Sequence, residues 1–242
     1  MNQFLSAWKF TSDHLGYLIA LALPVAFMEV SVAYLLLPIQ DATQPEDLIE
    51  YINSNGSLFF LTAALATIIQ MGFVGGIWIA FTSIENDGDV SPLDAQIAGI
   101  KKFFPLLGAS IIIGFASLIG FIFLILPGIY LMARLSLAFG YIVLEDKGVF
   151  ESIGKSWEST DEHGGRLFTL TLSFVSLTLL VSLVVGAVIE PGLVNLALLA
   201  IGEYLLALPL AYIYFTLYKS LKNGNVHSTF RIQFGQLFFK DF

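Results

Sequence analysis

Three ionisable residues fall inside long apolar runs of this chain: Glu29, Arg134 and Glu203. A charge at the centre of a membrane helix costs about 2.5–3.5 kcal/mol to insert, so such residues mark either a functional site or a buried partner. Counted from the ends of their runs, Glu29 and Glu203 each sit about 15 Å deep at about 1.5 Å per helical residue. On the same scale Arg134 lies about 8 Å below its turn and Gln70 about 18 Å down. A long arginine side chain reaches several ångströms either way. The depths therefore predict a buried cluster in which Arg134 pairs with Glu29, Glu203 or both, with Gln70 nearby. One arginine between two glutamates leaves a carboxyl over. Two readings follow: a structural ion pair that fixes helix packing, or a polar cavity for a charged substrate, ion or lipid headgroup.

Other chemistry is thinly represented. There is no cysteine, which removes disulfides and thiolate ligands or nucleophiles. No phosphate-binding glycine loop, HExxH pair or G-x-S-x-G elbow occurs. The histidines, His14, His163 and His227, sit in polar segments flanking the apolar runs. The expectation is a protein that is not an enzyme, with no metal site and no cofactor.

The elements that carry the charges follow from composition. The 242 residues are 57% hydrophobic and 12% charged, with a mean hydropathy of +0.82. Soluble domains run at about 45–50% apolar and about 25% charged. The apolar runs are continuous rather than alternating, so helices are expected and not a barrel. Six spans are predicted, over residues 15–39, 58–84, 106–126, 129–144, 167–189 and 193–218. They form one all-α membrane domain, 1–222, followed by a tail, 223–242, resting in the cytoplasm or on the membrane surface.

Basic residues orient the domain. Lys9, Lys101, Lys102, Lys147, Lys155, Arg166, Lys219, Lys222, Arg231 and Lys240 all fall on the face that holds both termini. The acidic segment 40–57 and the turns near Pro127 and Pro191 carry none. Positive residues mark the cytoplasmic side, so both termini are expected there. Glycines 72, 75 and 76 in the second span, with 108, 114 and 120 in the third, predict close helix packing. Pro24 and Pro209 sit near the two glutamates in sequence and bend their helices.

A polar phrase recurs before the spans. "SAWKFTSDHLGYLI" at 6–19 and "KSWESTDEHGGRLF" at 155–168 align Trp8 with Trp157, Thr11 with Thr160 and His14 with His163. Lys102 and Phe104 stand 64 residues before Arg166 and Phe168, as Pro127–Gly128 stand 64 before Pro191–Gly192. Three helical hairpins, each entered through a short amphipathic helix, would give this pattern. So would convergence, because any membrane entry favours Trp and Lys at the interface. Leu93, Ile97, Ile100 and Phe104 form one apolar stripe. Val149, Phe150, Ile153 and Trp157 form another, and Phe4, Leu5 and Trp8 a shorter one. Such helices are expected to lie in the headgroup plane as interfacial elbows marked by Trp8, Lys101, Lys102, Lys155, Trp157 and Arg166. The glycines of "HGGRL" would let the chain turn into the fifth span.

The stretch 126–168 carries Pro127, Gly128, Ile129, Tyr130, Arg134, Glu145, Gly148, Ser152, Ile153, Lys155, Ser156 and Trp157 in order. In this it resembles the YciC-like family of bacterial inner-membrane proteins, and the membrane domain attached to some glycerophosphodiester phosphodiesterases. The resemblance implies a six-span protein of the bacterial inner membrane and does not bring a phosphodiesterase activity with it. The expectation is a non-enzymatic envelope or lipid-related role, or alternatively a small transporter that couples to a proton or cation through an intramembrane carboxylate. Membrane lipids and a protein partner in the envelope are the expected associates; nucleic acid is not.

Overall fold

Long apolar runs in lipid must satisfy their own backbone groups, and winding into helices does so within each segment. A computed structural model of the chain, describing residues 2–40 and 44–223, has this form. The helices are α1 (Asn2–Asp13), α2 (Leu15–Gln40), α3 (Pro45–Glu85), α4 (Pro92–Ile100) and α5 (Phe103–Phe123). They continue as α6 (Ile125–Leu135), α7 (Ala138–Glu145), α8 (Val149–Ser159), α9 (Gly164–Val188) and α10 (Leu193–Lys222), with a 3₁₀ turn at Asp161–His163. No strand occurs among the described residues. Six segments are long and apolar enough to cross a membrane: Leu15–Ile39, Pro45–Glu85, Phe103–Phe123, Ile125–Glu145, Asp161–Val188 and Leu193–Lys222. The chain is a multi-pass membrane protein. The tail expected from residue 223 onward lies outside the described residues, apart from Asn223 itself.

Three spans differ from their expected limits. The second begins at Pro45, not at residue 58, so most of the acidic segment 40–57 is helix. Its start is well specified: Pro45 supplies a preset φ in the first turn, and Gln44 and Asp47 form a reciprocal capping box. The 41 residues of α3 reach about 62 Å, twice the roughly 30 Å thickness of a hydrocarbon core. The third span ends at Phe123, and the turn falls at Leu124. Pro127 therefore lies in the first turn of α6, where a proline is tolerated, whereas Pro191 precedes its helix. The fourth span runs from Ile125 to Glu145 as two helices broken at Ser136–Leu137. Enclosure by its neighbours lets it carry Arg134 and Ser136, which is why its apolar signal in the sequence was short.

Helix α10 is central. Its buried Tyr204, Leu208, Tyr214, Phe215, Leu217 and Tyr218 pack with Leu18, Leu21, Phe73, Trp78 and Phe81 of α2 and α3. Its last turns are tied to the ends of α3 and α7. The Tyr212 hydroxyl donates to Glu85 at 3.0 Å, and Lys219 pairs with the same carboxylate. The Tyr218 hydroxyl and Lys222 both donate to Glu145, at 2.9 and 3.1 Å. This basic end also holds Lys102, paired with Asp146.

The short helices α1, α4 and α8 precede α2, α5 and α9. Helix α4 lies against α3 through small residues: a Cβ built on Gly75 would stand 2.8 Å from the Gly99 Cα, and one on Gly76 2.9 Å from the Ala95 carbonyl. Its stripe of Leu93 and Ile97 is left exposed. Helix α8 likewise buries Ser152 and Ser156 and exposes Phe150, which is 81% accessible. Helix α1 behaves differently. Phe4 and Trp8 pack on Phe174 of α9, and Phe10 stacks on Tyr212 with ring centroids 3.7 Å apart. Its apolar face is covered by the bundle rather than offered outward, with Leu5 as the exposed exception.

Candidate functional site

The two intramembrane glutamates meet. Glu29 stands on α2 five residues after Pro24, and Glu203 on α10 six residues before Pro209. The Glu203 carboxyl lines the same cleft as that of Glu29, and the Tyr204 hydroxyl donates to Glu29 Oε2 at 2.9 Å. Tyr204 is itself buried and held edge-on against Phe73, centroids 5.4 Å apart. This fixes the hydroxyl that orients Glu29.

The carboxyls line a cleft of ≈ 210 Å³ between α2, α9 and α10. Thr178 and Ser182 supply the polar part of its far wall. Each spends its hydroxyl proton on a carbonyl of its own helix, Phe174 and Thr178, both at 3.0 Å. Their oxygens are left as acceptors, like the carboxyls opposite. Among the described residues, no lysine, arginine or histidine lines the cleft. The arrangement is rich in acceptors, poor in donors and without countercharge. Two bare carboxylates in contact repel, so the pair calls for a proton or another positive charge between them.

Arg134 does not join this pair. It lies in the last turn of α6, 3% accessible, and is held by α8, by the turn that follows α8 and by Tyr130 of its own helix. Nε donates to the Thr160 hydroxyl at 3.2 Å, Nη1 to Tyr130 at 3.2 Å, and Nη2 to Asp161 at 3.1 Å and to the Trp157 carbonyl. The guanidinium carbon stands 3.8 Å from the centroid of the Trp157 ring. The Ser156 hydroxyl returns a bond to the Arg134 carbonyl at 2.7 Å. The expected Glu–Arg–Glu cluster is thus two separate features: an acidic pair and an arginine knot. Depth counting misassigned the arginine because depth does not say which face of a helix a side chain leaves from.

The knot also revises the reading of "HGGRL". Gly164 is in right-handed helical conformation, so no special backbone freedom is used there. Its hydrogen is needed for close approach: a Cβ would stand 2.8 Å from the Tyr130 hydroxyl and 3.3 Å from Arg134 Cδ. Gly165 has open space around it.

The remaining expected residues scatter. Gln70 is half-buried on α3 and does not line the acidic cleft. A different glutamine, Gln96 of α4, makes the buried contact, donating to the Leu21 carbonyl at 2.7 Å in the turn before Pro24. Trp8 packs on Phe174, Lys101 is exposed, Lys155 lies 5.9 Å from the Tyr141 ring, and Arg166 donates to Gln3. Tyr204, Thr178 and Ser182 at the cleft, and Tyr130, Thr160 and Asp161 at the knot, were not expected. A signal existed for part of the knot: Ser152, Ser156 and Thr160 recur every fourth residue, which marks a small polar stripe suited to close packing.

Comparison with known proteins gives no matching family model, no matching characterised protein and no matching solved structure.

Proposed function

We propose that this is a non-enzymatic multi-pass protein of the bacterial inner membrane that takes up a proton or other cation at Glu29 and Glu203, as a small transporter would. The observation that carries the reading is the meeting of two carboxyls in a cleft lined by acceptors, with no basic side chain among the described residues that line it. Both termini lie in the cytoplasm in this reading, because the basic end would follow the positive-inside rule. The YciC-like resemblance and the three-hairpin pseudo-repeat belong to the same proposal, supported by the recurrence of a short helix before α2, α5 and α9.

A carbodiimide that partitions into lipid tests it. Such reagents couple to protonated carboxyls inside membranes, and each adduct adds a fixed mass. The expected outcome is one adduct on the intact protein, lost in Glu203→Gln, with labelling slowed by a cation that occupies the cleft. Labelling that no cation slows, and that Glu203→Gln leaves in place, refutes the reading.

A lipid-related envelope role keeps one specific support. Leu93 and Ile97 of α4 and Phe150 of α8 are exposed at the basic end, where they would seat in a leaflet surface and contact membrane lipids. A protein partner in the envelope would meet this same end.

A further inference from the structure

A second cavity shares a wall with the acidic cleft. It is an open groove of ≈ 930 Å³ between α2, α3 and the first turns of α10. Leu23, Phe27, Leu35, Leu58, Leu193 and Ile201 make it apolar. Val30 and Ala200 line both the groove and the cleft, so the two adjoin along the seam between α2 and α10. Along α2 the groove extends from Leu23 to Leu35, about 18 Å at the helical rise. At carbon–carbon bonds of about 1.5 Å this accepts an alkyl chain of roughly a dozen carbons. The groove hydroxyls of Ser31 and Thr62 donate to carbonyls of their own helices, Phe27 and Leu58, both at 2.8 Å. The groove therefore offers a tail a place to lie, and the cleft offers the polar contacts.

We propose that cleft and groove form one site for an amphiphilic cation, with its ammonium head between Glu29 and Glu203 and its alkyl tail along α2 and α10. This rests on the cation reading of the acidic pair and names its ligand class. Charge decides between occupants. A phosphate-bearing lipid head is repelled by two carboxyls. A neutral chain fills the groove but leaves the acidic pair unanswered. The glutamates lie about 15 Å from the start of α10, so a head that reaches them leaves the headgroup layer and gains only if its charge is positive. The adjoining groove lets its tail stay buried as it does so.

The test is equilibrium binding to the full chain in lipid nanodiscs, with empty nanodiscs subtracted. The probes are decyltrimethylammonium, tetramethylammonium (head alone) and decanol (tail alone). Decyltrimethylammonium is expected to bind at least about tenfold more tightly than tetramethylammonium, a difference of about 1.4 kcal/mol, and decanol should not displace it. Glu203→Gln should weaken it about as much. Ala197→Phe, which fills the groove, should weaken it too while sparing tetramethylammonium; Ile201→Trp, at an exposed position, serves if Ala197→Phe does not fold. Equal binding of the two ammonium ions, insensitive to the groove substitutions, overturns the joint site and leaves the acidic cleft standing. Binding that ignores Glu203→Gln, or no binding above empty nanodiscs, overturns both.

Discussion

Replacing Arg134 by methionine separates the knot from the acidic pair quantitatively. The guanidinium makes four hydrogen bonds and one close ring contact. The Asp161 side chain is 77% exposed, so water replaces its partner and that bond counts for about 0–1 kcal/mol. The other three, to Thr160, Tyr130 and the Trp157 carbonyl, are charge-assisted and contribute about 1.5 kcal/mol each. The Trp157 ring adds about 1–2 kcal/mol. Against these stands the cost of burying the guanidinium, several kcal/mol for an ion after relaxation, which methionine avoids. The net loss expected for Arg134→Met is about 3 kcal/mol, and Arg134→Lys recovers only about 1 kcal/mol of it, because an ammonium cannot span the same fork. Equilibrium unfolding in mixed micelles, followed by far-ultraviolet circular dichroism, measures both. The decisive readout is a double-mutant cycle. Arg134 and Glu203 share no partner, so Arg134→Met and Glu203→Gln should add within about 0.5 kcal/mol. Arg134→Met and Trp157→Leu should couple by about 1–2 kcal/mol through the lost ring contact. Coupling above about 1 kcal/mol to Glu203, with none to Trp157, would falsify this placement of the arginine.

Two further outcomes follow from the packing. Gly99→Ala should cost about 1–3 kcal/mol in the same unfolding assay, because the new Cβ would press on the Gly72 carbonyl and lie 2.6 Å from the Gly76 nitrogen, and backbone cannot step aside. Gly165→Ala, with open space around it, should be near neutral; equal effects at both sites would mean that α3 and α4 are not in backbone contact. Phe150→Glu should leave folding in detergent unchanged but lift α8 from the bilayer surface, forfeiting about 1.5–3 kcal/mol of apolar burial. Because the chain has no cysteine, a spin label at Gly154→Cys reports on α8 alone. Its accessibility to a water-soluble nickel chelate should rise relative to dissolved oxygen, and no change would show that Phe150 does not touch lipid.

The sequence disclosed what continuous apolar runs can disclose. Six crossings were legible because the apolar runs are continuous, even the short fourth one, and Glu29 and Glu203 line one cleft, as their equal depths allowed. The start of α3 escaped a hydropathy reading because Glu46, Asp47 and Glu50 are polar, although Pro45 and the Gln44–Asp47 box announced a helix start. The destination of Arg134 was not legible, since the segment that receives it arrives from more than twenty residues away. The predicted stripes divide: Leu93 and Ile97 of α4 and Phe150 of α8 are left uncovered, Val149 and Ile153 of α8 pack against the core, and the stripe of α1 is covered. There the same pattern served burial against Phe174, because an amphipathic face does not say whether lipid or protein will cover it.

The unbroken length of α3 makes it a lever. From Pro45 to the glycine contact with α4 at Gly75 is about 45 Å, and from there to Glu85 about 15 Å. Gly75 against Gly99 is the fulcrum, inside the glycine contact where α3 and α4 approach backbone to backbone, and Glu85 is the short end, held by Tyr212 and Lys219. A sideways push on the far tip is reduced about threefold in travel at Glu85 and raised about threefold in force, by the ratio of those two arms. Whatever bears on the tip of this rod is thereby felt at the last turns of α10, the helix that carries Glu203.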